Sequence, residues 1–221
     1  MTISILAYDA KSGTFGGAAA TGSLCVGGWV LRGDVRSGLS ASQGTSPSTL
    51  WGEDALALMN AGVSAQDAVA ELTKGDPGRD HRQLSVLDCA GRTAGFTGHE
   101  SVAHAGVLAA DCLVVSGNML TDGAVLTAAR DGYLNAPGSM PLRLLAALTA
   151  AQEAGGDIRG FKSAALLQLH PDQAPLSLRI DYAEEPLAAM HDLYARATSQ
   201  PYVGWTQVVP TRSDPYRSKT A

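Results

Sequence analysis

The chain has 221 residues, enough to bury a sizeable core, and a formal charge of −5 from 16 basic and 21 acidic side chains. With no basic cluster beyond a few residues, that balance argues against nucleic acid or an anionic membrane surface as a partner. At 45% hydrophobic and 17% charged residues the composition is that of a globular protein rather than a disordered one, and its 25 glycines favour close packing and turns.

No apolar run reaches transmembrane length, and no basic segment precedes an apolar one as in a secretory signal. Three widely spaced cysteines, Cys25, Cys89 and Cys112, suit buried thiols in a reducing cytoplasm better than a disulfide framework.

Thr2 to Tyr8 alternates apolar and polar residues and reads as a strand. Asp9 to Gly13 supplies a turn, and Thr14 to Thr21 resumes as a strand of small residues. Gly16 and Gly17 inside it mark a close approach by backbone or substrate. Ser23 to Leu31 is a further apolar segment, and Val35 to Ser42 a short strand. Ser48 or Thr49 caps a helix over Trp51 to Asn60 that Gly62 ends. Ser64 opens a second helix, with Asp67 at its third position in a capping-box-like arrangement, and Asp76-Pro77-Gly78 closes the pair.

Two strands follow around Cys89-Ala90-Gly91, over Gln83 to Asp88 and Arg92 to Thr97; Asp111 to Ser116 is another strand, running into Gly117-Asn118. Asp122 to Tyr133 and Pro141 to Ala154 read as helices, Ser163 to Leu169 and Leu176 to Asp181 as a strand pair, and Pro186 to Ala197 as a last helix. The tail beyond Pro201 is polar and turn-rich, and is expected to be less ordered. No linker divides the chain, so one domain over 1–221 is expected. The order of elements suits an α+β fold, two sheets packed face to face with helices outside, in four layers.

Chemistry concentrates at a few positions. If Met1 is removed, Thr2 combines a hydroxyl and a free α-amine at the exposed end of a core strand. An unperturbed α-amine titrates near 8, so the pair is a self-contained nucleophile and base. Ser116-Gly117-Asn118, directly after a strand, could present an amide or backbone N–H groups to an oxyanion, or could simply turn the chain. Asp9, Arg32, Asp34 and Arg36 cluster near the first hairpin, and Asp157 to Ser163 leads into a late strand. Arginines there could hold a substrate carboxylate, and an acid could tune the amine.

The histidines, His81, His99, His104, His170 and His191, lack metal-ligand spacing. There is no phosphate-binding glycine loop, dinucleotide fingerprint or Gly-x-Ser-x-Gly elbow. Neither a metal nor a cofactor is expected.

Several stretches resemble the DUF1028 family over nearly the whole chain: Met1 to Asp9, Asp76 to Gln83, Ala94 to Gly98, Gly117-Asn118-Met119-Leu120, and Gly155 to Gly160 followed by Ser163 to Leu166. The resemblance implies an N-terminal nucleophile (Ntn) hydrolase-like fold, a four-layer α/β/β/α sandwich. By analogy with proteasome-type enzymes it implies that Thr2 attacks an amide carbonyl. The aspartate and lysine of proteasome subunits have no counterpart at their offsets, which fall on Ala18 and Asp34, with Arg32 and Arg36 near the second.

The expected function is therefore hydrolysis of a small amide or cyclic amide, with Thr2 as nucleophile and Asn118 or nearby backbone N–H groups serving the oxyanion. Arg32, Arg36 or Arg159, with Asp157 beside the last, would hold the small-molecule substrate. The alternative is a non-catalytic metabolite-binding or structural protein on the same sandwich. A homodimer is compatible with either.

Overall fold

A computed structural model describes residues 2–218. In chain order its elements are β1 (Thr2–Asp9), β2 (Thr14–Thr21), α1 (Val26–Trp29), β3 (Leu31–Asp34), β4 (Gly38–Gly44), α2 (Thr49–Asn60) and α3 (Ala65–Lys74). There follow β5 (Arg82–Asp88), β6 (Thr93–Thr97), β7 (Gly106–Ala110), β8 (Leu113–Asn118), α4 (Ala124–Asn135) and α5 (Met140–Glu153). The chain closes with β9 (Ser163–Leu169), β10 (Leu176–Ile180), α6 (Pro186–Ala197) and α7 (Tyr202–Thr206). The strands form two antiparallel sheets, one ordered β10-β9-β2-β1-β8-β7 and one ordered β3-β4-β5-β6.

Three apolar clusters hold the elements together. Leu6, Leu39, Ala41, Leu87, Val114 and Ala165 fill the space between the two sheets. The opposite face of the larger sheet, through Ile3, Ile5, Ala18 and Val115, packs on Leu144, Leu148 and Met190 of the later helices. The opposite face of the smaller sheet, through Leu84 and Val86, packs on Trp51, Ala55 and Val69. The fold is α+β, with two antiparallel sheets flanked by helices. Both faces of the central strands are therefore buried, which is why β1 and β2 carry almost no exposed residue.

The local signals act where capping chemistry is strongest. Ser48 accepts from the Trp51 N–H to start α2. The Ser64 hydroxyl accepts from the Asp67 N–H at 3.2 Å and donates to the Asp67 carboxylate at 2.6 Å. Gly16 does lie at a close approach, but of a helix side chain rather than backbone or substrate. A Cβ there would come within 2.3 Å of the Met140 sulfur.

Three segments differ from the sequence reading. Ser23 to Leu31 divides into the short helix α1 and the start of β3. Val35 and Arg36 form the turn before β4, and β7 pairs with β8 where no strand was expected. The tail is also more structured than its composition suggests: α7 forms, Thr211 is buried, and the Ser213 N–H donates to the Pro171 carbonyl. Among the described residues no helix is long and apolar enough to cross a membrane.

Candidate functional site

Strand register divides the space between the sheets into tiers. In the first, Leu6 sits between Gly17 and Val114 on one sheet and faces the paired Leu39 and Leu87 on the other. Two residues along, Ser4 lies between Ala19 and Ser116, opposite Ala41 and Ser85. The Ser116 hydroxyl shares hydrogen bonds with Ser4 at 2.8 Å and Ser85 at 3.0 Å, so the tier is a closed hydroxyl chain between the sheets. Two residues further, Thr2 lies between Thr21 and Asn118, opposite the paired Gln43 and Gln83. Side chains on one face of a strand recur every second residue, so each tier shares the interior. The interior thus passes from leucine to serine to amide on its way to Thr2.

The last tier is organised around Gln83, whose side chain is fully buried. Its Nε2 faces the Gly117 carbonyl at 2.9 Å, the Gly106 carbonyl at 3.0 Å and the Thr97 hydroxyl at 2.8 Å. Its Oε1 accepts from Gln43 Nε2 at 2.7 Å and from Asn118 Nδ2 at 3.3 Å. Gln43 Nε2 also donates to the Thr2 carbonyl at 3.3 Å. The remaining oxygens, Gln43 Oε1 and Asn118 Oδ1, are buried and have no hydrogen-bond partner among the described residues. Such orphaned acceptors are rare inside proteins and cost about 1–3 kcal/mol each.

Thr2 itself is 8% exposed, and its hydroxyl donates to that of Thr21 at 3.2 Å. It opens on a cavity of about 390 Å³ whose lining includes Thr21, Ser23, Leu24, Trp29, Gln43 and Pro47, and whose side chains are all uncharged. Leu24 and Trp29 stand exposed on its wall. That wall is pinned from behind: Ser163 donates its hydroxyl to the Ser23 carbonyl at 2.8 Å and accepts from the Val26 N–H at 3.2 Å. Met1, whose removal the nucleophile reading requires, lies outside the described residues.

Asp157 and Arg159 come to this wall from the loop before β9. The Asp157 carboxylate is buried, accepts from the Gly22 N–H, and accepts from both the backbone N–H and the guanidinium of Arg159. Arg159 also reaches the Ser23 hydroxyl at 3.2 Å. Gly22 is required here, since a Cβ would sit 2.6 Å from the Asp157 oxygen. Asp157 therefore acts as a brace between the loop and the end of β2. Asn118 is the register partner of Thr2, with its amide nitrogen given to Gln83.

The other arginines are elsewhere. Arg32, paired with Ser40 on the helix-facing side of the smaller sheet, meets Glu53 of α2 at 3.5 Å. Arg36 grips Asp34 bidentately at the β3–β4 turn. Gly38, which pairs with Asp34, is five residues from Gln43 along β4, roughly 17 Å at about 3.4 Å per residue. The Asp34 carboxyl is held below the ordinary carboxylate range, chiefly by its hydrogen bond from Arg36. Asp9 is likewise lowered, first by the Ser12 hydroxyl, and it too lies at that far end of its strand.

Comparison with known proteins places the chain. The sequence model of DUF1028, a family of unknown function, matches residues 2–190. The chain belongs to the DUF1028 family. The crystal structure of the DUF1028 protein SPO2555 from Silicibacter pomeroyi is similar at 48% sequence identity, covers 98% of each chain and superposes with a TM-score of 0.94. No curated protein matches. Among the described residues of this DUF1028 protein, no group of three or more His, Cys, Asp or Glu is arranged to hold a metal ion.

The residues that composition and motif reasoning passed over are Gln43, Gln83 and Thr21. Their signal lies in strand parity: Gln83, Ser85 and Leu87 alternate on one face, as do Leu39, Ala41 and Gln43. Because both faces of these strands are buried, parity alone does not say which face meets the other sheet.

Proposed function

We propose that this DUF1028 protein is an N-terminal-threonine amidohydrolase acting on a small amide or cyclic amide, on a four-layer α/β/β/α sandwich of the Ntn-hydrolase kind. The observation that carries the reading is the position of Thr2, the first residue of a core strand. It lines a cavity of about 390 Å³ and lies beside two buried acceptor oxygens that have no partner among the described residues. A strand-starting threonine kept only for its β propensity would have no need of an amide network that leaves two buried oxygens without a partner among the described residues.

In the proposed cycle Met1 has been removed. The neutral α-amine takes the proton of the Thr2 hydroxyl as the oxygen attacks the substrate carbonyl carbon. The resulting ammonium returns that proton to the leaving nitrogen as the C–N bond breaks, leaving an ester on Thr2. Water, deprotonated by the same amine, then hydrolyses the ester and restores the hydroxyl. Backbone N–H groups of the cavity wall would receive the oxyanion, since the Asn118 nitrogen is given to Gln83. The uncharged lining suits a neutral acyl portion, with Leu24, Trp29 and Pro47 offering apolar contact. Arg159 at the wall is the arginine nearest this role; Arg32 and Arg36 are held by Glu53 and Asp34.

A second reading, a non-catalytic metabolite binder, draws support from a cavity of about 490 Å³ away from Thr2, lined by Asp34, His170, Gln173 and Arg212 among others. Intact-mass measurement of the native protein, paired with turnover of an amide and lactam panel, tests the choice. Loss of Met1 with Thr2-dependent turnover supports hydrolysis. Full activity in a protein that retains Met1 excludes this mechanism.

A further inference from the structure

We propose that Gln43 Oε1 and Asn118 Oδ1 hold the α-ammonium of Thr2, and that Gln83 is the positioning residue that turns both oxygens toward it. The inference rests on the reading of Thr2 as the mature N-terminus, and goes beyond it by assigning the groups that orient the base.

Hydrogen-bond polarity fixes the orientation of the three amides. An amide side chain can be turned over, exchanging its nitrogen and oxygen, unless its partners forbid it. Gln83 cannot turn over, because two of its Nε2 partners are the backbone carbonyls of Gly106 and Gly117, which only accept. Its Oε1 must then point at Gln43 and Asn118, and each must offer a nitrogen in return. Gln43 is fixed a second time, since the Thr2 carbonyl also requires its Nε2. Three backbone carbonyls thus determine the polarity of the whole cluster. The two oxygens left over are obliged to be acceptors, and both are buried without a partner among the described residues.

A pair of such acceptors calls for a group carrying several donors. The α-ammonium of Thr2 has three N–H groups and belongs to the residue that both amides adjoin, Asn118 from the next strand of its own sheet and Gln43 from the sheet opposite. Asn118 is the register partner of Thr2, about 5 Å away across the β1–β8 ladder, and Gln43 already grips the carbonyl of the same residue. The site thereby explains how an amine in a partly buried tier can hold a proton during the first step of the cycle. Burial weakens the charged form, and two carbonyl oxygens aimed at it restore that form.

Among the described residues, charged groups enter from a few neighbours. The loop before β9 brings Asp157 and Arg159, which are engaged with one another, and Lys162, whose backbone N–H donates to the Thr21 carbonyl and whose ammonium pairs with Glu184. The start of β5 brings His81 and Arg82, the latter paired with Asp76. His104 lies in the segment whose backbone pairs with Leu120 after β8. At their ends nearest the site, β1, β2, β4 and β8 present Thr2, Thr21, Gln43 and Asn118, all neutral, so the amide oxygens act on the amine without a carboxylate on those strands.

The test uses ¹⁵N-threonine-labelled full-length protein shown by intact mass to lack Met1, with the Thr2 amine titrated by NMR. The proton affinity of the amine is expected to fall about tenfold in Asn118→Ala, and to fall comparably in Gln43→Ala. Gln83→Leu should lower it as well, although Gln83 never reaches the amine; a purely structural role would leave that titration unmoved. An unchanged affinity in folded Asn118→Ala and Gln43→Ala overturns the inference while leaving Thr2 hydrolysis intact. Retention of Met1 in active native protein overturns both. Should the variants fail to fold, a crystal structure of the Met1-free native protein decides. The amine nitrogen within hydrogen-bond reach of both oxygens upholds the assignment, and a separation beyond about 4 Å from either removes it.

Discussion

The two ends of the space between the sheets are built from the same strands, yet they are chemically opposite. Around Leu6 the tier is closed by Leu39, Leu87 and Val114, and holds the sheets together by burial alone. Four residues away on β1, the tier around Thr2 is filled by Gln43, Gln83, Thr21 and Asn118, with two buried oxygens that have no partner among the described residues. A core selected only for stability would continue the leucines. The difference teaches that the Thr2 end carries a cost in stability that a site could justify and a scaffold could not.

Substitutions at the two ends should therefore separate activity from stability. The largest effect is expected from Thr2→Ala, which should lower amide or lactam hydrolysis by at least about a thousandfold while leaving the folded circular-dichroism spectrum unchanged. If Thr2→Ala retained turnover, the contrast between the ends would lose its functional meaning. Leu87→Ala at the apolar end should do the reverse, costing about 2–5 kcal/mol in urea unfolding while hydrolysis per folded molecule persists.

Gln83→Leu is intermediate. It removes the donor to the Gly106 and Gly117 carbonyls and the acceptor shared by the Gln43 and Asn118 nitrogens, for a loss of about 1–3 kcal/mol measured the same way. Ser116→Ala, in the tier between, removes the hydroxyl that links Ser4 to Ser85 and should cost about 1 kcal/mol.

The smallest effect belongs to Arg36→Ala at the far hairpin, where hydrolysis should not change. Asp34 is lowered by its hydrogen bond from Arg36, so that pair stabilises the fold above the ordinary carboxylate range, and the contribution is lost as pH falls through the lowered value. In the variant, the Asp34 carboxyl should titrate at a higher pH by ¹³C NMR. Any stability difference from the parent should be present at neutral pH and vanish in acid. A matching loss of hydrolysis would return Arg36 to the site.

Much of the fold was legible locally. The Ser48 and Ser64 caps, the alternation of Thr2 to Tyr8 and the helix Pro186 to Ala197 declare themselves because capping and periodicity depend on neighbours a few residues away. Legibility fails at Ser23 to Leu31 and at β7. In the first a single turn of helix interrupts an apolar run, and in the second a half-exposed strand lacks strong alternation. It fails again for the charges: Arg32 and Arg36 are close to the first hairpin in sequence, but strand parity and strand length carry them to an outer face and a far end.

By itself the sequence determined most of the element types, the family and the position of Thr2 at the head of a core strand. Only the tertiary structure decided what surrounds that residue. Register set Thr2 between Thr21 and Asn118, and sheet packing set it against Gln43 and Gln83. The physical reason is separation along the chain: the polarity of the tier is dictated by backbone carbonyls at Thr2, Gly106 and Gly117 acting on side chains from other strands. No local pattern encodes which of two buried faces will meet them.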